Sequence, residues 1–493
     1  MKRGSGILLH ISSLPSAYGI GTFGKEAFQM IRLLKKSCQK YWQFLPLSPT
    51  DFKDSPYQSF STFALNPYFI DLDSLIQDGL LKQEEVKSCN WFVKEDQIDY
   101  GLIYENKEKM LWLAYQRGYG KYQKLIQIFY KKNQYWLEDY ALFMSLKKYF
   151  NQKPWMEWEH DYKVRKKSVL HQFQEEYYDW CQFYIFCQYL AFKQYQKLKK
   201  FAAVNQISLI GDCPIYVNLD SSDVWANPRL FLLDAQYKPT LVAGVPPDYF
   251  SKTGQLWGNP IYNYEQMKKD HYRWWTLRFF HLLQLYDYLR LDHFRGFESY
   301  YAIPFLDTNA INGKWYPGPA QDFFDTIIQN LNQAPFIAED LGIITKEVND
   351  LKNRYQFPGL KILLFAFDSL DANHPYLPRN YEKNCIAYIG THDNAPFFGY
   401  IHQNQNGYQN MHQYYHTTGE KETYEAILED LYASSADVVL LQIQDVLLQD
   451  ENYRMNIPGS EENNWQYRLL KEQLNEKYFE TIAKLTKKHQ RDE

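Results

Sequence analysis

Apolar residues gather into short runs along the chain, and polar segments rich in Gly and Pro separate them. The runs lack the strict apolar–polar alternation of a half-exposed strand, so they favour β-strands that are buried on both faces of a sheet. The predicted strands are residues 7–11, 42–45, 208–215, 288–294, 335–340, 359–366, 385–393 and 438–446.

Helical periodicity fills most of the intervals between these strands. Helices are predicted near residues 25–36, 265–286, 321–331, 346–354, 424–432 and 465–489. Strands that alternate with helices, without an internal repeat, predict an α/β fold of the (β/α)8 TIM-barrel type. A chain of 493 residues suits one catalytic barrel with insertions, here spanning residues 1–493.

Two long stretches interrupt the alternation of strands and helices. Residues 71–206 are rich in Lys, Glu, Gln and aromatic residues at helical spacing, which predicts a helical insertion subdomain with its own aromatic core. Residues 216–264 are dense in Pro, Gly and Asn, which predicts a loop insertion over the active site. Tyr249 and Trp257 in this insertion are candidate sugar-stacking rings, and an ordinary long loop with aromatics tucked beneath it is the alternative.

Composition and charge exclude several classes of protein. The net charge of −4 is near neutral for this length and argues against a nucleic-acid or anionic-membrane partner. No apolar run approaches the roughly 20 residues of a membrane span, and the N-terminal run is too short for a signal peptide. The 6 cysteines show no metal-ligand or redox spacing. We therefore expect a cytoplasmic protein with reduced thiols and without a metal.

Polar side chains follow several of the predicted strands, and in a TIM barrel the active site lies at the carboxyl ends of the strands. The residues at these ends are Ser55, Tyr57, Asp212, Arg290, Asp292, Glu339, Asp340, His392 and Asp393. Isolated charges are costly to bury, so their convergence on one rim indicates an active site. A purely structural charge network remains the alternative.

Asp292 and Glu339 end neighbouring predicted strands, which lie about 4.8 Å apart. Retaining glycosidases need two carboxyl groups about 5–5.5 Å apart, so this pair fits that mechanism. Arg290 lies on the same strand face as Asp292 and favours its ionised form, as a nucleophile requires. Glu339 has the longer reach and suits a general acid, whereas Asp393 would clamp sugar hydroxyls. A merely structural Arg–Asp pair is the competing interpretation.

Eight motifs resemble those of the 4-α-glucanotransferases, a family also called amylomaltases or disproportionating enzymes. They occupy residues 5–21, 55–72, 211–217, 244–260, 290–297, 338–342, 391–394 and 454–465, in the family's order. The resemblance implies a retaining transferase of the α-amylase type that needs no cofactor and has no C-terminal β-domain. It implies Asp292 as nucleophile, Glu339 as acid/base and Asp393 as transition-state stabiliser. The sugar contacts that it implies are Tyr57, Asp212, Trp257, Arg290, His392 and Asn464.

The chain departs from the family's motifs in places that do not include the three carboxylates. Ala395 and Pro396 stand where Asp-Thr is usual, Leu65 stands where Gly is usual, and Thr22 stands where Asp is common. The expected partners are α-1,4-glucans such as maltooligosaccharides, glycogen or starch. An α-1,4-glucan hydrolase and a non-catalytic glucan-binding protein are the rival interpretations.

Overall fold

The structure is a computed structural model that describes residues 1–51, 53–247, 251–460 and 462–493. A strand lies at each of the eight predicted positions within these residues, and four further strands occur between them. The strands are β1 (Gly4–Leu8), β2 (Tyr41–Gln43), β3 (Ser208–Cys213), β4 (Leu241–Val245), β5 (Gln255–Pro260), β6 (Tyr288–Leu291), β7 (Ser299–Pro304), β8 (Lys314–Pro317), β9 (Phe336–Ala338), β10 (Gly359–Ile362), β11 (Cys385–Tyr388) and β12 (Val438–Gln442).

The predicted strands form one parallel sheet in the order β10-β11-β12-β1-β2-β3-β6-β9. The Ala338 N–H, at the end of β9, donates to the Pro358 carbonyl just before β10 at 2.9 Å, which links the two outer strands and nearly closes the ring. Close helix packing around the ring requires small residues: a Cβ on Gly211 would lie 2.1 Å from the Tyr286 ring. The TIM-barrel prediction is confirmed.

Helices surround the sheet. Within the described residues they are α1 (Lys25–Lys36), α2 (Leu72–Gln77), α3 (Gln83–Lys87), α4 (Tyr100–Tyr149), α5 (His160–Lys163), α6 (Lys167–Glu176), α7 (Tyr178–Val204), α8 (Ser222–Ala226), α9 (Tyr264–Lys269), α10 (Arg273–Leu285), α11 (Arg295–Glu298), α12 (Ala320–Leu331), α13 (Lys346–Arg354), α14 (Phe397–Gln403), α15 (Gln405–Tyr415), α16 (Glu420–Ala433), α17 (Ile443–Val446) and α18 (Glu480–Lys488).

Two helix predictions are corrected. The predicted helix 265–286 is two helices, because Tyr272 has a φ of 53° and so interrupts the helical backbone between α9 and α10. The predicted helix 465–489 begins only at α18, and short 3-10 turns precede it.

The long helices α4 and α7 lie side by side within residues 71–206, and their aromatic side chains pack on one another. Tyr115 meets Phe186 at a ring distance of 5.7 Å, and Trp112 meets Phe183 at 5.0 Å. The Gln188 side chain binds both the N–H and the carbonyl of Leu65 at 2.9 and 2.7 Å, which fastens the loop after β2 to α7. The division of these residues into a subdomain of their own remains a prediction.

A second, antiparallel sheet has the order β5-β4-β7-β8, and the sequence analysis did not anticipate it. Its first two strands lie within residues 216–264, so this stretch is not a loop throughout. The register shifts between Val242 and Gly244, and such a bulge obscures the strand pattern in the sequence. Trp257 consequently lies on β5 and not in a loop. The placement of this insertion over the active site remains a prediction.

The described ranges contain neither a candidate membrane span nor a candidate metal cluster. No helix there combines the length and the apolarity that a membrane span requires. No three His, Cys, Asp or Glu side chains of the described part of the chain cluster in a way that could hold a metal ion.

Candidate active site

The register of the barrel strands brings the predicted carboxylates together. Asp212 on β3 is paired with Arg290 on β6, and Leu291 is paired with Ala338 on β9. Asp292 and Glu339 are the next residues after that pair, so they leave neighbouring strands at the same level. Strand pairing alone therefore places both carboxylates at one edge of the barrel.

Arg290 contacts three carboxylates at once. Its Nη1 lies 2.6 Å from Asp212 Oδ2 and 3.1 Å from Asp292 Oδ1, and its Nη2 lies 3.1 Å from Glu339 Oε1. The Arg290 side chain is only 3% exposed. A planar guanidinium offers several donors in fixed directions, so it can orient three carboxylates together where a lysine could not.

The pKa of Asp292 is shifted in the direction opposite to the sequence prediction. Burial raises the pKa of Asp292 well above its usual range, and the neighbouring charge of Glu339 and a hydrogen bond to it act in the same direction, against the lowering effect of Arg290. The Arg290 guanidinium, on which the sequence prediction rested, has the smaller effect here. The adjacent carboxyl group of Glu339 and the burial together disfavour a negative charge on Asp292.

Tyr57 and His392 form an aromatic wall next to this carboxylate cluster. The Tyr57 hydroxyl donates to Asp212 Oδ2 at 2.7 Å and lies 2.9 Å from His392 Nε2. The two rings are stacked, with centroids 5.4 Å apart and an interplanar angle of 10°. Burial raises the pKa of Tyr57 well above its usual value, which keeps its hydroxyl a neutral donor. His392 Nε2 also lies 3.4 Å from Asp393 Oδ2, which joins the third carboxylate to this wall.

Two residues that contact Asp393 were missed in the sequence analysis. Asn456 Nδ2 donates to Asp393 Oδ1 at 2.7 Å, and Arg454 Nη2 donates to the Asp393 carbonyl. Both belong to the motif at residues 454–465, from which only Asn464 was selected. The density of Arg and Asn in that motif was the available signal.

Asn464 and Ser55 make local contacts. Asn464 Oδ1 accepts from the Ile457 N–H at 2.9 Å, and its Nδ2 donates to the Ser460 carbonyl at 2.7 Å. Ser55 Oγ accepts from the Tyr57 N–H at 3.3 Å, which shapes the turn that presents Tyr57. Their predicted sugar contacts remain predictions.

Trp257 lies beside the acid/base candidate. Its ring meets the His293 ring edge-on at 4.9 Å, and the His293 N–H donates to Glu339 Oε2. Tyr249, the other predicted stacking ring, lies outside the described residues. Asp340 does not join the cluster, because it pairs with Lys352 Nζ at 2.6 Å on the other side of the strand end.

The family model for 4-alpha-glucanotransferases matches residues 9–473. The chain belongs to the 4-alpha-glucanotransferase family. The 4-alpha-glucanotransferase of Clostridium butyricum is 42% identical over 482 residues, which cover 97% of this chain and 99% of that protein. The 4-alpha-glucanotransferase of Aquifex aeolicus is 40% identical over 481 residues, with 97% of each chain covered.

A solved structure of the same family has the same fold. The amylomaltase from Streptococcus agalactiae, solved in complex with acarbose, superposes with a TM-score of 0.96 at 36% identity. The match covers 99% of this chain and 100% of that one. Membership of the family, expected from the motifs, is thereby confirmed over nearly the whole chain.

Two of the departures from the family's motifs are buried beside the site. Leu65 is held at its backbone by Gln188, and its side chain packs in the core. Pro396 precedes α14, whose first N–H, on Phe397, donates to Asp445 Oδ1 at 2.7 Å. The loop that carries Asp393 is therefore fixed at its end by a carboxylate from the segment after β12.

Proposed function

We propose that this protein is a retaining 4-α-glucanotransferase that moves α-1,4-glucan segments from a donor maltooligosaccharide to the 4-hydroxyl of an acceptor glucan or glucose. The observation that carries the proposal is the contact of one buried guanidinium, Arg290, with Asp212, Asp292 and Glu339. An arginine that orients two adjacent carboxyl groups suits a mechanism that needs one nucleophile and one acid.

In the first half-reaction Asp292 attacks the anomeric carbon of the donor and forms a covalent β-glucosyl ester. Glu339 gives its proton to the glycosidic oxygen, and the reducing-end part of the donor leaves as an alcohol. In this step Glu339 acts in its protonated form and Asp292 in its ionised form, which Arg290 stabilises. Asp393 supports the oxocarbenium-like transition state through the sugar hydroxyls.

In the second half-reaction the ionised Glu339 takes the proton of the acceptor's 4-hydroxyl. The acceptor oxygen attacks the anomeric carbon, the bond to Asp292 breaks, and an α-1,4 linkage forms again. The bond made is of the same kind as the bond broken, so no energy source is required. Transfer prevails over hydrolysis when the acceptor is held in place and water is excluded.

The relatives of this chain also support glucans as its substrates. The Streptococcus agalactiae amylomaltase was solved with acarbose, and the curated relatives carry the name 4-alpha-glucanotransferase. Within the chain, Tyr57, His392 and Trp257 offer rings and polar edges of the kind that sugars contact. We propose these residues, with Asp212 and Arg290, as the sugar-binding wall.

Incubation with maltotriose tests the proposal. The expected products are glucose and longer maltooligosaccharides at a constant number of reducing ends. A rising number of reducing ends would identify a hydrolase, and unchanged maltotriose would identify a binding protein. Asp292→Asn should lower turnover by about 10⁴-fold or more without unfolding, whereas Asp492→Asn, at an exposed C-terminal position, should leave it unchanged. Equal turnover in Asp292→Asn would refute the assignment of the nucleophile.

A further inference from the structure

Arg454 and Asn456, at the start of the motif at residues 454–465, contact the loop that carries Asp393. Asn456 Nδ2 donates to Asp393 Oδ1 at 2.7 Å, and the Arg454 guanidinium donates to the Asp393 carbonyl and, at 2.6 Å, to the Asn456 carbonyl. Arg454 thereby ties the backbones of Asp393 and Asn456 together. The Asn456 side chain therefore contacts the Asp393 carboxylate from a backbone position that Arg454 holds in place.

The loop of Asp393 contributes little to the orientation of its own carboxylate. The Thr391 N–H and hydroxyl both donate to Asn394 Oδ1, at 2.9 and 3.2 Å, so Thr391 and Asn394 bind each other. The Asp393 side chain is 39% exposed, and His392 Nε2 lies 3.4 Å from its second oxygen. Among the described residues, the short hydrogen bond from Asn456 is therefore the strongest contact that holds this carboxylate in one rotamer.

Trp465, at the other end of this motif, is held in place as well. The Trp465 N–H donates to the Met455 carbonyl at 2.8 Å, and the Trp465 ring lies 5.8 Å from the Tyr57 ring and 6.2 Å from the His392 ring. Asn456 thus lies between the contacts to the Asp393 loop and the contacts to the aromatic wall. These contacts hold its side-chain amide in the direction of Asp393.

We propose that Asn456 is a positioning residue for the transfer reaction, acting through Asp393, and that Arg454 holds Asn456 in place. This inference rests on the proposed function, in which Asp393 supports the transition state. The Asn456 amide binds Oδ1 of Asp393, so we assign the contact with the sugar to Oδ2, which lies 3.4 Å from His392 Nε2.

The chain offers a matched test. Asn456→Ala removes the amide, and Asn456→Ser, whose side chain is too short to reach Asp393, replaces it if the alanine variant does not fold. Asn452→Ala is the control, because Asn452 is exposed just before the motif at residues 454–465 and its side chain binds Asp450. The readouts are kcat and KM for maltotriose and the melting temperature.

We expect kcat of the Asn456 variants to fall about 10- to 100-fold, the worth of a hydrogen bond to a charged group. KM should change less than about twofold, since the interaction matters most in the transition state. The control should keep its wild-type kcat. A wild-type kcat in a folded Asn456 variant would overturn the inference and leave the proposed function intact.

A double-mutant cycle with Asp393→Asn separates positioning from a general structural effect. Turnover of α-maltosyl fluoride, an activated donor, is measured in Asp393→Asn with and without Asn456→Ala. If Asn456 acts through Asp393, the second substitution should cost less than about threefold in the Asp393→Asn background. Independent, multiplying losses would overturn the inference. Wild-type activity in Asp393→Asn alone would instead remove the role of Asp393 in the proposed function.

Discussion

Arg290 Nη1 lies 2.6 Å from Asp212 Oδ2, and the two side chains are only 3% and 0% exposed. The residues are paired in register on β3 and β6, so their ion pair crosses the barrel sheet directly. Asp212 Oδ1 has no hydrogen-bond partner within the described residues. The same guanidinium also contacts Asp292 and Glu339, so the buried Arg290–Asp212 pair holds the carboxylate cluster in place.

Replacing Arg290 by methionine should destabilise the protein by roughly 3–5 kcal/mol, because Asp212 would remain buried without its counter-charge. Transfer activity should fall at least 100-fold, since the carboxyl groups lose their common anchor. Denaturant unfolding and the maltotriose assay measure the two effects. An unchanged unfolding midpoint in Arg290→Met would contradict the structural role, and Arg290→Lys tests whether charge without the planar fork suffices.

Trp257→Ala should raise the share of hydrolysis in total turnover several-fold. The Trp257 ring contacts the His293 ring at 4.9 Å, and the His293 N–H donates to Glu339. Removal of the Trp257 ring should therefore open the space near Glu339 to water. The number of reducing ends formed per glucose released from maltotriose measures this share. Trp257→Phe keeps an apolar ring and serves as the control. An unchanged share in Trp257→Ala would show that water is excluded by other means.

Asp445 should make stability depend on pH. Burial raises the pKa of Asp445 from 3.8 to about 7, and its Oδ2 has no hydrogen-bond partner among the described residues. Between pH 4 and 7 the folded state therefore binds more protons than the unfolded state, and stability falls as the pH rises. Asp445→Asn keeps an acceptor for the Phe397 N–H without this loss.

Melting temperatures of the wild type and Asp445→Asn at pH 4 and pH 8 check this prediction. The two proteins should be similar at pH 4, and the variant should be more stable at pH 8, by about 4 kcal/mol at most. An equal difference in melting temperature between the two proteins at both pH values would exclude Asp445 as the titrating group.

Lys107 on α4 should destabilise the protein at neutral pH. Its side chain is fully buried, its Nζ has no hydrogen-bond partner in the described part of the chain, and burial lowers the pKa of Lys107 from 10.5 to about 7. Between these values the unfolded state binds more protons, so the wild type should gain stability as the pH rises from 7 to 10.

Lys107→Met fills the same space without a charge. It should add roughly 1–4 kcal/mol to the unfolding free energy at pH 7, and the gain should vanish near pH 10. Denaturant unfolding at both pH values measures it, with Lys109→Met, at an exposed position on the same helix, as the control. A loss of stability in Lys107→Met at pH 7 would mean that the ammonium group has a favourable role in the fold.

The sequence by itself determined the barrel and the core of the candidate site. Strands that are buried on both faces must be apolar throughout, so each left a local signature, and a strand was found at every predicted position. Asp292 and Glu339 follow adjacent strands directly, so register alone brings them together. The motifs that resemble the 4-α-glucanotransferases span the chain, and the family model confirms them over residues 9–473.

Only the tertiary structure decided the rest. The second sheet was hidden because its strands are short, one of the pairings is bulged, and the pairing of β4 with β7 joins distant parts of the chain. Asn456 reaches Asp393 across 63 residues, a contact that no local pattern encodes. The raised pKa of Asp292 arises from burial and from the charge of Glu339, which are properties of the folded surroundings. Local patterning specifies strands and their ends, whereas desolvation and distant contacts exist only once the chain has folded.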